Sequence, residues 1–276
     1  MSNLRFPKFK MPRRLLLSVV LGLILIGLIL GWANKNHHSG LGSFGGGSSK
    51  HNNGSAPNSA TDFNKSRYSI NDPASLWVVV NKGRGLPSDY VPANLVVPHV
   101  PLRLSAGSSE MLVRQDMATA LQMMINEAAA QGQHLMLASG YRSYASQASL
   151  YNSYVASQGR AQADASSAHP GHSEHQTGLA ADLEPSSRSC EVELCFESTP
   201  EGQWLAANLS KYGFTIRYQK AKELVTGYQY EPWHVRYLGV GLATELYKAH
   251  QTMEDFFGLS FYTTYPSQPY QLKPGN

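Results

Sequence analysis

The pattern of apolar and polar positions divides the chain into three stretches. Residues 15–32, LLLSVVLGLILIGLILGW, form an apolar run without a charge. As a helix, 18 residues rise about 27 Å, close to the roughly 30 Å of a bilayer core. Residues 34–66 are rich in Gly, Ser, Asn and His and show no apolar period, so they cannot build a packed core. From Leu76 onward the pattern becomes globular.

Residues 76–80, LWVVV, are apolar and mostly β-branched and are broken by Asn81-Lys82-Gly83, which predicts a strand and turn. The proline-rich stretch 90–104 reads as an extended wrapping segment. Residues 109–131 predict the clearest helix, with Met117, Leu121, Met124 and Ala128 on one face and Gly132 to end it. A short buried strand is expected over 134–138. A second helix should follow, carrying Gln147, Leu150, Tyr151 and Tyr154 on one face.

Further on, 178–183, 214–218 and 230–237 read as strands. Thr199-Pro200 gives an N-cap and first-turn pair for a helix running to Tyr212, which Gly213 stops. Leu242, Leu246, Met253 and Phe257 mark one last helix, and the tail 263–276 is expected to be irregular. Helices and strands mix without strict alternation and no repeat is visible. The expected class is therefore α+β, a mainly antiparallel sheet with flanking helices, preceded by one transmembrane helix.

Charge sharpens the N-terminal reading. Arg5, Lys8, Lys10, Arg13 and Arg14 precede the apolar run with no acid among them, whereas the whole chain carries only +4. The remainder thus sums to about −1, which argues against a nucleic-acid partner. A cleaved secretory signal is the alternative for the apolar run, but such signals have shorter apolar regions and a small-x-small site, which Trp32-Ala33-Asn34-Lys35 lacks. The reading adopted is an uncleaved anchor over 15–33, with 1–14 cytoplasmic and everything after it extracytoplasmic at the cell membrane. The segment 34–66 would then be a flexible tether to a domain over 67–262.

Cys190 and Cys195 are the only cysteines. In an exported domain this close pair suggests a small disulfide loop, with two free thiols as the alternative.

Candidate chemistry gathers late in the chain. His169, His172 and His175 lie close together, and local spacing does not choose among them as metal ligands. Asp182 sits in the small-residue stretch 178–182, either as a ligand or as an N-cap or ion-pair partner. Glu231-Pro232-Trp233-His234 offers a base and a ligand, or alternatively a core histidine; Pro232 makes the chain irregular there, so both side chains can reach one cavity.

Taken together and in order, SGYRSYASQ (139–147), SSAHPGHSEHQTGLAADL (166–183) and TGYQYEPWHVRYLG (226–239) resemble the VanY-type D-alanyl-D-alanine carboxypeptidases. These belong to a zinc-peptidase superfamily shared with vancomycin-resistance dipeptidases, lysostaphin-like endopeptidases and the Hedgehog signalling domain. The similarity runs from about Trp77 to Phe257. It implies a zinc ion held by His175, Asp182 and His234, with Glu231 as general base. It implies that Arg142 stabilises the oxyanion or grips the substrate, and that Gln147, Ser167 and Ser173 line the substrate pocket. Relatives often carry Arg and Tyr where this chain has His169 and His172, so those two fall outside the implied ligand set.

The function implied is a membrane-anchored zinc carboxypeptidase removing the terminal D-Ala of peptidoglycan stem peptides. L,D-cleavage of tetrapeptide stems shares the same motifs. A non-catalytic wall-binding module is the alternative of another class, and the presence of both Glu231 and Arg142 favours the enzyme.

Overall fold

The structure, a computed structural model, describes residues 63–275. The basic segment 1–14, the apolar run 15–33 and the tether up to residue 62 lie outside the described residues. Among the described residues, no helix is long and apolar enough to cross a membrane.

In chain order the elements are β1 (Arg84–Gly85), β2 (Leu95–Val96), β3 (Val113–Arg114), α1 (Gln115–Ala130), β4 (Leu135–Ser139), α2 (Tyr144–Gln158), α3 (Arg160–Ser166), β5 (Ala180–Pro185), α4 (Pro200–Asn208), β6 (Phe214–Ile216), α5 (Glu223–Thr226), β7 (His234–Tyr237), α6 (Val240–Ala249), α7 (Met253–Phe257) and β8 (Tyr270–Gln271). The main sheet has four strands in the order β4-β5-β7-β6, and every pairing in it is antiparallel. The mixed helix-and-sheet class expected from the sequence is the one observed.

The sheet's two faces have different jobs because side chains alternate along a strand. Leu135, Leu137, Ala181, Leu183 and Val235 join the Met117, Leu121, Met124 and Ala128 stripe of α1 in the main core. The intervening residues Asp182, His234 and Arg236 therefore project from the other face. Asp182 and His234 are directly paired across β5 and β7, so the ladder register alone makes them neighbours.

Several expectations need correction. Residues 77–80 are buried and Leu76 is partly buried, but the stretch forms no strand. They do alternate: Trp77 and Val79 enter one core cluster, Val78 and Val80 another. Their carbonyls are met by arginine side chains instead of a ladder. Arg236 donates to the carbonyls of Leu76 and Val78, and Arg84 to that of Val79.

The helix expected over 109–131 begins only at Gln115. Ser109–Met111 is a 3-10 turn, and Val113–Arg114 is extended because it pairs with Leu95–Val96. The helix expected from Thr199 to Tyr212 closes as a 3-10 turn, Leu209–Tyr212. The single last helix is two. His250 adopts a left-handed conformation that ends α6, and Thr252 with Asp255 forms a capping box that starts α7.

The tail is not irregular throughout. Its strand β8 pairs in parallel with β1, and Leu272 is fully buried against Val78, Val80 and Leu86.

Candidate active site

Three elements bring the chemistry together. The 3-10 turn Glu174–Thr177 carries His175, β5 carries Asp182 and β7 opens on His234. Gly178 lets the chain pass from that turn into β5, with φ +67 in the left-handed region where a side chain is strained. Residues 231–234 form a turn in which the His234 amide donates to the Glu231 carbonyl at 3.3 Å. In a regular strand residues three apart would face opposite sides, and this turn instead lets Glu231 and His234 line one cavity.

His175, Asp182 and His234 each offer one ligand atom, and the three atoms lie within 4.8 Å of one another. His175 Nε2 is 3.3 Å from Asp182 Oδ2, and His234 Nδ1 is 3.2 Å from Asp182 Oδ1. The other ring nitrogen of His175, Nδ1, bonds to the Gly140 carbonyl at 2.6 Å, which fixes the ring and frees Nε2. Asp182 Oδ1 is buried and makes no hydrogen bond. A buried carboxylate set between two imidazoles, with one oxygen lacking a donor, fits a cation better than it fits a closed polar network. The two-nitrogen, one-oxygen donor set suits zinc.

Gly140 is itself demanded by packing. A Cβ there would lie 2.3 Å from the Leu112 carbonyl oxygen. The residue sits in a backbone clasp, with Gly140 N donating to the Glu110 carbonyl and Tyr141 N to the Leu112 carbonyl, both at 2.6 Å. Arg142 emerges from this clasp. Its guanidinium donates to Gln147 Oε1 at 3.1 Å and Ser139 Oγ at 2.9 Å, and lies 3.9 Å from Asp182 Oδ2. Gln147 is held in turn by Ser167 Oγ and the Ala168 carbonyl.

These groups share one pocket of about 380 Å³. Arg142, Gln147, Ser167, Ser173, His175, Asp182, Glu231 and His234 all line it, so every catalytic, substrate and metal residue picked out in the sequence is brought together. Sequence reasoning placed Leu150 and Tyr154 on one face of α2 but did not assign them to a site, and it did not foresee that Val192 and Leu194 of the cysteine loop and Tyr218 would also line the pocket. Cys190 and Cys195 are joined as a disulfide that closes that loop.

The electrostatics are those of a buried, acid-rich site. Burial pushes the Glu231 carboxyl up to about 7, against the pull of His234. Burial lowers His234, but Asp182 and Glu174 outweigh it and raise the ring to about 9. Burial would raise Asp182, yet His175 and His234 hold it well below the usual carboxylate range.

His169 and His172 lie elsewhere. His169 bonds Asp164 Oδ1 at 2.8 Å and stacks on Tyr265 at 3.5 Å between ring centroids. His172 Nδ1 bonds the Asn81 carbonyl. Neither lines the pocket, so the ambiguity among the three histidines falls to His175.

A family model described as VanY, D-alanyl-D-alanine carboxypeptidase, matches residues 110–240. YodJ of Bacillus subtilis (strain 168) is 40% identical over 188 residues, 68% of this chain and 69% of that protein. The chain belongs to the VanY D-alanyl-D-alanine carboxypeptidase family. Among solved structures it is similar to the LD-carboxypeptidase LdcB, at 39% identity and a TM-score of 0.65, covering 68% of this chain and 88% of LdcB. It also resembles the D,D-pentapeptidase VanY of a VanB-type resistance cassette, solved with Zn(II). That likeness has 30% identity and a TM-score of 0.55, over 65% of this chain and 97% of that one. As a VanY-family carboxypeptidase, the protein is a peptide hydrolase.

Proposed function

We propose that this VanY-family protein is a zinc carboxypeptidase that removes the C-terminal D-Ala of peptidoglycan stem peptides. Residues 15–33 would tether it to the cell membrane, with the catalytic unit outside. The observation that carries the reading is the convergence of His175, Asp182 and His234 on one point, inside a pocket that also holds Glu231 and Arg142. The zinc-bound relative supports the choice of metal.

His175, Asp182 and His234 would hold the ion. When bound, zinc supplies Lewis acidity at a carbonyl oxygen and makes water a better nucleophile near neutral pH. The rest falls to the chain's own groups. The carboxylate of Glu231 takes a proton from the attacking water and returns it to the leaving amine. Among the described residues, Arg142 is the only Lys or Arg lining the pocket. Its planar fork, fixed by Gln147 and Ser139, suits a substrate carboxylate or the developing oxyanion. One fixed cation beside an open cleft is what recognition of a free C-terminus requires.

L,D-cleavage of a tetrapeptide stem is the second reading. The greater likeness to LdcB than to the D,D-pentapeptidase favours it. Mass spectrometry of defined tri-, tetra- and pentapeptide muropeptides incubated with the full-length protein decides. Loss of one D-Ala from the pentapeptide supports D,D-cleavage, and conversion of tetrapeptide to tripeptide supports L,D-cleavage. Chelation should abolish either activity and zinc restore it; turnover that survives complete metal removal would overturn the zinc reading.

A further inference from the structure

Behind the pocket lies a buried charge network that the proposed reaction does not use. Glu174, fully buried, accepts at Oε1 from Arg217 Nε at 2.8 Å and from Arg236 at 2.7 Å. Arg217 is also held by two bonds to Glu254, and Glu254 accepts from Asn81 Nδ2 at 3.0 Å. Arg236 is tied to the carbonyls of Leu76 and Val78. Two carboxylates and two guanidiniums balance, so the network is neutral on its own.

One oxygen is left over. Glu174 Oε2 is buried and makes no hydrogen bond, and the same holds for His234 Nε2. These two atoms face each other at 3.8 Å. On the opposite side of the same ring, Nδ1 faces Asp182 Oδ1. A carboxylate serving only to neutralise two arginines has no need to turn its second oxygen toward an imidazole. Histidines that bind metal through one nitrogen commonly direct the other N–H at a carboxylate or carbonyl, which sets tautomer and ring orientation.

We propose that Glu174 is a positioning residue for His234, facing its Nε2 so that Nδ1 is the nitrogen offered to the metal. The two arginines act through it by preventing the carboxylate from swinging away. The inference rests on the zinc reading of the site, but not on which stem peptide is cut.

The test is zinc affinity by chelator competition in the full-length chain, comparing Glu174→Gln with Glu254→Gln. Both substitutions remove one buried charge from the same network, and only the first touches the group facing His234. Glu174→Gln should weaken zinc binding by about 10- to 100-fold. Glu254→Gln should lower the melting temperature while leaving zinc affinity within about threefold, far short of the loss expected when a partner of a metal-binding His is removed. Equal losses in both variants, or an unchanged affinity in folded Glu174→Gln, would overturn the proposal.

A second measurement covers the case in which Glu174→Gln does not fold. In wild-type protein loaded with cadmium-113 and labelled with nitrogen-15 histidine, His234 Nδ1 should couple to the metal while Nε2 keeps its proton. Coupling at Nε2 refutes the assignment. If the wild type binds no zinc at all, the functional reading fails and takes this inference with it. Tight wild-type binding that Glu174→Gln leaves unaltered removes the inference alone.

Discussion

Glu231 and Arg142 flank the three proposed ligands, with Glu231 3.7 Å from His234 Nδ1 and Arg142 3.9 Å from Asp182 Oδ2. Their roles separate experimentally. Glu231→Gln keeps the shape of the side chain but cannot take a proton, so zinc content should survive while turnover drops by about 10²–10⁴. A variant retaining a tenth or more of wild-type turnover would show that another group moves the proton. Arg142→Lys keeps the charge and loses the fork that now spans Gln147 and Ser139. Its catalytic efficiency should fall by about 10²–10³, the scale of losing one oxyanion donor. Near-wild-type kinetics would reduce Arg142 to a cap on the following helix. His175→Ala should instead lose the metal, because it removes a ligand and not a proton carrier; full zinc content by elemental analysis would reopen the choice among the three histidines.

At the scale of elements, the site depends on tight backbone junctions that can be tested one at a time. Gly140→Ala would push a methyl group into the Leu112 carbonyl and disturb both the His175 anchor and the exit of Arg142. Overpacking of this kind costs about 1–3 kcal/mol, readable in a urea titration. The start of α7 gives a pH-dependent case. Burial would raise Asp255, but bonds from Lys222 and Thr252 hold its carboxyl below the usual range. A depressed folded-state value means that the stabilisation is present above the unfolded value near 4 and is lost as pH falls through the folded one. The stability gap between wild type and Asp255→Asn should therefore be open at neutral pH and close in acid. A gap independent of pH would show that the ionised cap contributes nothing.

The same elements show what the sequence could and could not reveal. The α1 stripe and the strands around 135–139, 180–185 and 234–237 were legible because their apolar periods are strong and local. The stretch 76–80 has a strand's alternation, but its carbonyls are taken by Arg84 and Arg236, and no local pattern announces that. The metal triad and Glu231 became legible through the ordered motifs; residue spacing alone left three histidines in play. Glu174, Arg217, Arg236 and Glu254 gave no signal beyond Glu174 lying next to His175, because their meeting is made entirely by tertiary packing.

On the scale of the whole molecule, the tail is the informative part. It lies beyond the residues matched by the family model, yet it closes a cluster that the N-terminal part of the domain cannot complete alone. Lys82, nearly buried, gives its ammonium to the Thr263 carbonyl, and Tyr265 stacks on His169 while its hydroxyl accepts from the His169 amide. The loop just N-terminal to His175 is thereby braced by residues about ninety positions later in the chain. Leu272 is the deepest anchor, with no exposed surface among Val78, Val80 and Leu86. Leu272→Ala removes that side chain and leaves a cavity, which should cost about 2–5 kcal/mol in a denaturant titration. If the tail only decorates the surface, the cost will be a few tenths of a kcal/mol, as for ordinary exposed positions. Because the cluster around Leu272 contains no residue that lines the pocket, folded Leu272→Ala should keep wild-type zinc affinity. A destabilised variant that also lost zinc would show that the brace reaches the ligands themselves.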